Sequence, residues 1–206
     1  MIQRRGMLIV VSAPSGAGKT SLSLEIRKQI PDLAYSVSYT TRSPRPGELD
    51  GRDFFFVDEP VFRQMVGRGE FAEWAWVHGN LYGTSAQYLE QALARGEDIL
   101  LDIDTQGARQ LRGRHPEGVY VFVVAPSMKE LEQRLLERKS DAPQEIAKRL
   151  RRAREEIAAW REYDYLIVNQ DLDEAAQQLA AIVMAERART TRLTLSIPDL
   201  DEGGQS

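Results

Sequence analysis

The sequence predicts an α/β fold in which a mainly parallel β-sheet is covered by helices on both faces. Strand-length apolar runs occur at residues 7–11, 99–103, 119–124 and 165–168, and helix-length segments separate several of them. The runs are nearly continuous in Val, Ile and Leu, which is typical of strands buried on both faces. The first run leads directly into a glycine-rich turn and an amphipathic segment, so the chain opens with a strand-turn-helix unit.

Two stretches interrupt this alternation. Residues 39–88 are rich in turn residues and aromatics, which predicts a small insert with β-structure. Within residues 128–163, apolar side chains recur at spacings of four and three from Ile146 to Trp160, which predicts a long amphipathic helix with arginines on its polar face. A closing helix is expected over about residues 173–192, with an acidic first turn and a basic last turn.

Length and composition exclude several classes of protein. The 206 residues, 42% of them hydrophobic, predict one domain with insertions. The formal charge of −4 argues against nucleic acid as a partner. The absence of cysteine excludes disulfides, thiolate zinc sites and cysteine nucleophiles. No apolar stretch approaches the roughly twenty residues that cross a bilayer, so we expect a cytoplasmic protein without a membrane partner.

Residues 196–206 predict a disordered tail. The sequence leaves open whether the protein forms a homo-oligomer.

The turn after the first strand has the pattern of a phosphate-binding loop. Its two glycines allow a tight turn that directs N–H groups inward, towards the positive end of the following helix. Lys19 can reach the β- and γ-phosphates, and the Thr20 hydroxyl can bind Mg²⁺. The pattern usually opens with glycine, where this chain has Ala13. The residues expected to hold a polyphosphate are Ala13, Pro14, Ser15, Gly16, Ala17, Gly18, Lys19 and Thr20.

A carboxylate ends the second buried run. Asp102 follows three apolar residues, and enzymes with a phosphate-binding loop place an acid beside Mg²⁺ at the end of such a strand. The alternative is that this acid caps the next helix. Given the loop, we favour the metal role. Asp104 projects to the same side if the strand continues that far.

Two groups of arginines are candidates for further phosphate contacts. Arg42 and Arg45 lie in a Pro-containing turn among hydroxyl residues, which suits a clamp for a second phosphate, although a solvated loop is the alternative. Arg134 and Arg138 are four apart on one helical face, and more arginines follow from Arg149. One or two of them on a mobile helical lid would stabilise the charge of phosphoryl transfer and exclude water.

The remaining aromatic and histidine residues are weaker indicators. Trp74, Trp76 and the phenylalanines at 54–56 are expected to belong to a core rather than to a base-stacking platform. His78 and His115 have no metal-ligand spacing and are expected to face solvent.

Taken together, these segments resemble the guanylate kinase family, in particular its bacterial members, over about residues 7–192. The matching segments, in the order of the family, are APSGAGKTSL, SVSYTTRSPRPGE, GEFAEWA, GNLYGTS, LLDIDTQGA, RLLER, IAKRL and EYDYLIVN. The resemblance implies a P-loop three-layer core (residues 1–38, 89–127 and 164–195), a small mixed β insert that binds GMP (39–88) and a helical lid (128–163). It also implies Mg²⁺-dependent transfer of the γ-phosphoryl group of ATP to GMP, and to dGMP, for guanine nucleotide recycling.

The resemblance assigns roles to individual residues. The GMP phosphate is expected to bind Ser38, Arg42, Arg45 and Tyr82, and the guanine edge to bind Glu73, Thr84 and Asp104. Guanine carries N1–H and 2-amino donors that carboxylates accept, whereas adenine has no donor at N1. Arg134, Arg138 and Arg149 match lid positions near the transferring phosphates, so these three join Lys19 and Arg42 as expected catalytic residues. Asn169 matches the start of the adenine pocket, and Thr20 with Asp102 is the expected metal set.

Two other functions fit parts of the sequence. A related kinase could phosphorylate a phosphorylated sugar, but Glu73 and Asp104 would then have no evident role. A non-catalytic module could bind phosphorylated or acidic peptides, but it would need the arginine clamp and not Lys19. A kinase also needs no catalytic base here, because the phosphate oxygen of GMP is already anionic.

The sequence departs from the family pattern at two further positions. Lys139 stands where a glycine often follows the lid arginine, which would stiffen the turn of the lid. Phe54 stands where the family commonly has a tyrosine whose hydroxyl contacts the GMP phosphate.

We predict that Phe54→Tyr tightens the binding of GMP. A hydrogen bond to a charged group contributes about 1.5–3 kcal/mol, so the KM for GMP should fall by about tenfold or more. Steady-state kinetics with GMP varied measure the change, and the KM for ATP serves as the internal reference. An unchanged or raised KM for GMP would contradict the prediction.

Overall fold

The structure, a computed structural model that describes residues 2–77, 79–137 and 143–196, alternates strands and helices along the chain. Its strands are β1 (Ile2–Arg4), β2 (Leu8–Ser12), β3 (Ala34–Tyr35), β4 (Tyr39–Thr40), β5 (Phe55–Phe56), β6 (Phe71–Val77), β7 (Asn80–Ser85), β8 (Ile99–Asp102), β9 (Val119–Val124), β10 (Tyr165–Val168) and β11 (Leu193–Leu195). Its helices are α1 (Lys19–Gln29), α2 (Glu59–Gly67), α3 (Ala86–Ala94), α4 (Thr105–Arg114), α5 (Met128–Glu137), α6 (Pro143–Ala158) and α7 (Leu172–Arg187), with 3₁₀ helices at Ala159–Glu162 and Thr190–Arg192.

Five parallel strands in the order β10-β9-β2-β8-β3 form the central sheet. The middle strands β9, β2 and β8 are buried along nearly their whole length, as their continuous apolar runs predict. One face of the sheet packs against α1 and α7 through Leu22 and Leu179, and the other packs against α3 and α4 through Leu89 and Leu111. The α/β prediction with a three-layer core is therefore confirmed. No helix of the described residues is long and apolar enough to span a membrane.

A second, smaller sheet is formed within the segment where the sequence predicts an insert. Its strand order is β5-β4-β7-β6, with β4 and β5 parallel and the other pairs antiparallel. Phe62 of α2 packs with Phe71 and Leu81 in a small core under this sheet. Trp74 and Trp76 are 38% and 47% exposed, so their predicted place in a core is wrong. They lie on β6, the edge strand, where alternate residues point to opposite sides and the inward positions belong to other residues.

The described part of the arginine-rich stretch contains two helices, α5 and α6, and α6 is the long amphipathic helix that the periodicity from Ile146 to Trp160 predicts. The first, α5, packs against α6 through a small apolar cluster that includes Leu131, Leu135, Ile146 and Ala153. The second begins at Pro143, a residue favoured at the first position of a helix. Arg138 and Lys139 lie outside the described residues, as does His78.

The C-terminal part of the chain also differs from the expectation. Helix α7 ends at Arg187, five residues before the predicted end, and β11 then pairs antiparallel with β1. This pairing brings the two ends of the described chain together, a long-range contact without a local sequence signal. The predicted tail lies outside the described residues apart from Ser196.

A buried carboxylate ties together the edge of the sheet opposite the glycine-rich loop. The Asp98 side chain is fully buried just before β8 and accepts hydrogen bonds from the Met7 N–H (3.1 Å), Arg187 Nε (2.7 Å) and Arg4. Arg187 also donates to Asp32 (2.9 Å), which follows α1. A buried charge is tolerated when it is paired and hydrogen-bonded, so this group joins β1, β2, β8, α1 and α7.

We predict that Asp98→Ala lowers the free energy of unfolding by about 3–5 kcal/mol, because the substitution leaves the Arg187 guanidinium without its buried partner. Urea unfolding measures the loss. The matched control is Glu97→Ala, which removes an exposed ion pair with Arg95 and should cost less than about 1 kcal/mol. Equal losses in the two variants would contradict the prediction.

Candidate functional site

The glycine-rich loop joins β2 to α1 at the C-terminal edge of the central sheet. Gly16 and Gly18 have φ angles of +93° and +90°, a region that favours glycine. A side chain on Gly18 would also collide with the Asn169 amide. The turn is closed by a hydrogen bond from the Ala17 N–H to the Pro14 carbonyl oxygen (3.1 Å). Ala13 and Ala17 are buried, whereas Ser15 is half-buried and Thr20 is exposed.

Asn169 forms a hydrogen bond with the glycine-rich loop, and Arg134 forms one with Asn169. Asn169 follows β10, is 4% exposed and donates from Nδ2 to the Ala17 carbonyl oxygen (2.8 Å). Arg134 of α5 donates to the Asn169 carbonyl oxygen (3.1 Å) and to Glu130 (3.0 Å). Both side chains therefore bind carbonyl oxygens in or next to the loop. The adenine contact expected for Asn169 stays a prediction.

Lys19 and Asp102 form an ion pair at the ends of adjacent elements. The Lys19 ammonium also donates to the Ile103 carbonyl oxygen (2.9 Å), and the Ser23 hydroxyl donates to Asp102 (3.4 Å). Within the described ranges no group of three His, Asp or Glu side chains could hold a metal by itself. The hydroxyl of Thr20 and the carboxylate of Asp102 do suit a small hard cation that takes its other ligands from phosphate oxygens and water.

A cavity of about 370 Å³ extends from this ion pair to the insert. It is lined by predicted site residues from distant parts of the chain: Lys19, Thr20, Ser38, Arg42, Arg45, Glu73, Tyr82, Asp102 and Asp104. Phe54 also lines it. Arg134 and Arg149 are described but do not line this cavity, and Arg149 is half-buried on α6. The cavity therefore unites Lys19 and Thr20 with the expected clamp and carboxylates, whereas loop residues 13–18 and the described lid arginines do not line it.

The two-arginine turn is organised by a glutamate. Glu48 accepts two hydrogen bonds from the Arg42 guanidinium, both 2.9 Å, and one from the Arg45 N–H (2.7 Å). Burial alone would raise the pKa of Glu48, but these hydrogen bonds hold it below its ordinary value. The Arg42 guanidinium also lies over the rings of Phe54 and Phe56, 5.2 and 5.8 Å from their centroids. Arg42 is thereby held between a carboxylate and aromatic faces.

Two carboxylates from different elements, Glu73 and Asp104, line the same cavity. Glu73 of β6 is 4% exposed and accepts a hydrogen bond from the Thr84 hydroxyl (2.6 Å). Burial raises the pKa of Glu73 to about 7; the Thr84 hydrogen bond lowers it, and the negative charge of Asp104 raises it further. Asp104 caps α4 by accepting from the Gly107 N–H (2.9 Å). A side chain on Gly107 would collide with the Glu73 carboxylate.

Comparison with known proteins agrees with this geometry. A family model described as guanylate kinase matches residues 5–186. The guanylate kinase of Geobacter sulfurreducens is 49% identical over 199 residues, covering 97% of this chain and 98% of that protein. This chain belongs to the guanylate kinase family. The guanylate kinase of Carboxydothermus hydrogenoformans is 48% identical over 200 residues and 97% of both chains. The crystal structure of guanylate kinase from Anaplasma phagocytophilum matches with a TM-score of 0.80 and 34% identity, over 94% of this chain and 92% of that chain.

Two of the residues that the sequence did not assign to the site of this guanylate kinase family member are Glu48, which lines the cavity, and Gln110, which supports β6. Glu48 lies three residues after Arg45, inside the matching segment SVSYTTRSPRPGE, so its proximity to the clamp had a local signal. Gln110 hydrogen-bonds the main chain of Trp74, next to Glu73, from 36 residues away. No spacing rule connects these two positions.

We predict that Glu73→Gln removes a pH dependence of stability. The carboxyl has a pKa of about 7 in the folded protein and 4.5 ordinarily, so the folded state binds more protons between these values. The stability contributed by the protonated form is complete below pH 4.5 and is lost as pH rises through 7. Between pH 5 and pH 8 the original protein should lose about 1–3 kcal/mol relative to the variant in urea unfolding. Identical pH profiles would show that Glu73 titrates alike in the folded and unfolded chain.

Proposed function

We propose that this chain transfers the γ-phosphoryl group of ATP to GMP, and to dGMP, giving ADP and GDP or dGDP. Membership of the guanylate kinase family supports ATP-dependent phosphorylation of GMP. The observation that supports the site is that one cavity is lined by the loop lysine, by Arg42 and Arg45, and by the carboxylates Glu73, Asp102 and Asp104. We also propose a cytoplasmic enzyme with the core, insert and lid boundaries expected from the sequence.

On the donor side, the loop N–H groups and Lys19 would bind the β- and γ-phosphates of ATP. The ion pair with Asp102 holds the Lys19 ammonium beside the loop, where phosphate oxygens could replace the carboxylate as its partner. Thr20 and Asp102 would hold Mg²⁺, which neutralises phosphate charge when bound. Asn169 supports this assignment indirectly, because its amide fixes the Ala17 carbonyl and so the direction of the loop.

On the acceptor side, Arg42 and Arg45 would bind the GMP phosphate together with Ser38 and Tyr82. An arginine has five N–H donors, so Arg42 can keep both bonds to Glu48 and still donate to phosphate. The phosphate oxygen of GMP is anionic, so the reaction needs positioning and charge stabilisation rather than a base.

The guanine edge would be bound by Glu73 and Asp104, with Thr84 holding Glu73 in place. An ionised carboxylate accepts from the N1–H and 2-amino groups of guanine. Adenine would instead present an unprotonated N1 to the same carboxylate, which leaves buried acceptors unpaired and disfavours AMP.

Three arginines belong to the expected lid. Arg134 and Arg149 lie on α5 and α6, and Arg138 lies between these helices in the chain, outside the described residues. We propose that they approach the transferring phosphoryl group, where guanidinium groups stabilise the charge of the transition state.

ADP formation from ATP and Mg²⁺, measured with GMP, AMP, UMP and a phosphorylated sugar offered separately, tests this function. We predict turnover with GMP and its close analogues, and a loss of at least about 100-fold in Lys19→Ala. The matched control is Lys28→Ala, an exposed lysine on the same helix that pairs with Glu25. Turnover with the sugar phosphate but not GMP would contradict the acceptor assignment. GMP binding without turnover would contradict the catalytic one.

A further inference from the structure

One face of α4 carries a row of side chains that hydrogen-bond the main chain of β6. Gln106, Gln110 and Arg114 are spaced four apart, which places them on the same side of the helix. Arg114 donates to the carbonyl oxygens of Phe71 (3.2 Å) and Ala72 (2.8 Å), and Gln106 Nε2 lies 3.5 Å from that of Trp76. Strand β6 is the edge of its sheet, so these side chains take the place of a neighbouring strand.

Gln110 makes the central and most complete of these contacts. Its Nε2 donates to the Trp74 carbonyl oxygen (2.7 Å), and its Oε1 accepts from the Trp74 N–H (3.3 Å). The amide therefore satisfies both polar groups of one residue, as a paired strand would. Trp74 directly follows Glu73, whose carboxylate faces the cavity.

The ladder of β6 is irregular directly before Glu73. The pairing of β6 with β7 shifts register between Phe71 and Glu73 and is regular again from Glu73, which pairs with Thr84, and Trp74, which pairs with Gly83. The contact from α4 restrains the other side of β6 next to this irregularity.

The same helix also positions the second carboxylate. Asp104 is the residue before α4 and caps it, and Gly107 in the first turn leaves room for the Glu73 carboxylate. Helix α4 thus carries one carboxylate at its N-terminus and, two turns later, the amide that holds the strand bearing the other. Helix α4 therefore contacts both segments that carry these carboxylates.

We propose that Gln110 is a positioning residue for acceptor selectivity, which sets the placement of Glu73 relative to Asp104 through the main chain of Trp74. The inference rests on the proposed function, because it assigns these two carboxylates to the guanine edge. Gln110 contacts neither the cavity nor the loop, so its effect falls on recognition of the base and not on ATP.

The test uses Gln110→Met, which keeps the length and helical preference of the side chain but removes both hydrogen bonds. We expect the KM for GMP to rise by about 5- to 50-fold while the KM for ATP changes less than about twofold. The ratio of kcat/KM for GMP to that for inosine monophosphate, which lacks the 2-amino group, should fall. Gln110→Glu keeps an acceptor for the Trp74 N–H but places a second carboxylate oxygen against the Trp74 carbonyl oxygen, so it should not restore the original ratio.

The control is Arg109→Ala, which removes an exposed ion pair with Glu162 from the same helix. It should keep the original selectivity, and urea unfolding of all variants separates folding from recognition. A parallel loss of kcat with every acceptor, or an unchanged GMP to inosine monophosphate ratio in folded Gln110→Met, would overturn the inference. Failure of the proposed function would be distinct, because the original protein itself would then show no preference for GMP.

Discussion

The site depends on the pairing of charges that are partly withdrawn from water. Lys19 lies against Asp102, and Arg42 lies against Glu48. An unpaired charge loses favourable free energy of solvation in such surroundings. Each of these cationic side chains is therefore paired with a carboxylate, which fixes its orientation. A pair also limits how strongly the cavity attracts anions in general. Under the proposed function, a phosphate must therefore fit the geometry of the remaining donors. This favours a ligand whose phosphate lies at a defined distance from its purine base.

The sheet determines where these pairs stand. Parallel strands end at one edge, so β2 delivers the glycine-rich loop and β8 delivers Asp102 side by side. Helix α4 then starts at the same edge and carries Asp104, while β6 of the insert approaches with Glu73. At the opposite edge of the sheet, Asp98 forms hydrogen bonds with Met7 and Arg187. These contacts join the strands and helices at the end of the sheet that is farther from the glycine-rich loop. Stability and function are thus separated along the strands.

Much of the core could be predicted because its signals are local. The buried runs of β2, β8 and β9 are continuous, and the loop motif lies directly between a strand and a helix. Strand β3 has two residues and β1 and β11 three each, too few for a periodicity to identify. Their existence depends on long-range pairing.

The sequence indicates candidate site residues but not the contacts between them. Family resemblance named Glu73 and Asp104, yet the face of β6 that turns inward could not be read from aromatic content, so Trp74 and Trp76 were misplaced. The residues that support the site from distant parts of the chain also have no local sequence signal. Asn169 holds a loop residue 152 positions away, and such contacts follow from the packing of the sheet.

Under the proposed function, acceptor selectivity and the ionisation of Glu73 are coupled. Burial beside Asp104 brings the pKa of Glu73 to about 7, so both protonation states are accessible near neutrality. Only the ionised carboxylate can accept from both donors of guanine, whereas a protonated carboxyl presents an O–H that adenine N1 could accept. Burial therefore has two opposed effects: it excludes water from the base edge and strengthens each hydrogen bond, but it also favours the form that discriminates less. The Thr84 hydroxyl opposes that second effect by donating to the carboxylate, which stabilises its ionised state. Under the proposed function, discrimination between purines thus depends on this hydroxyl as well as on the carboxylates that contact the base.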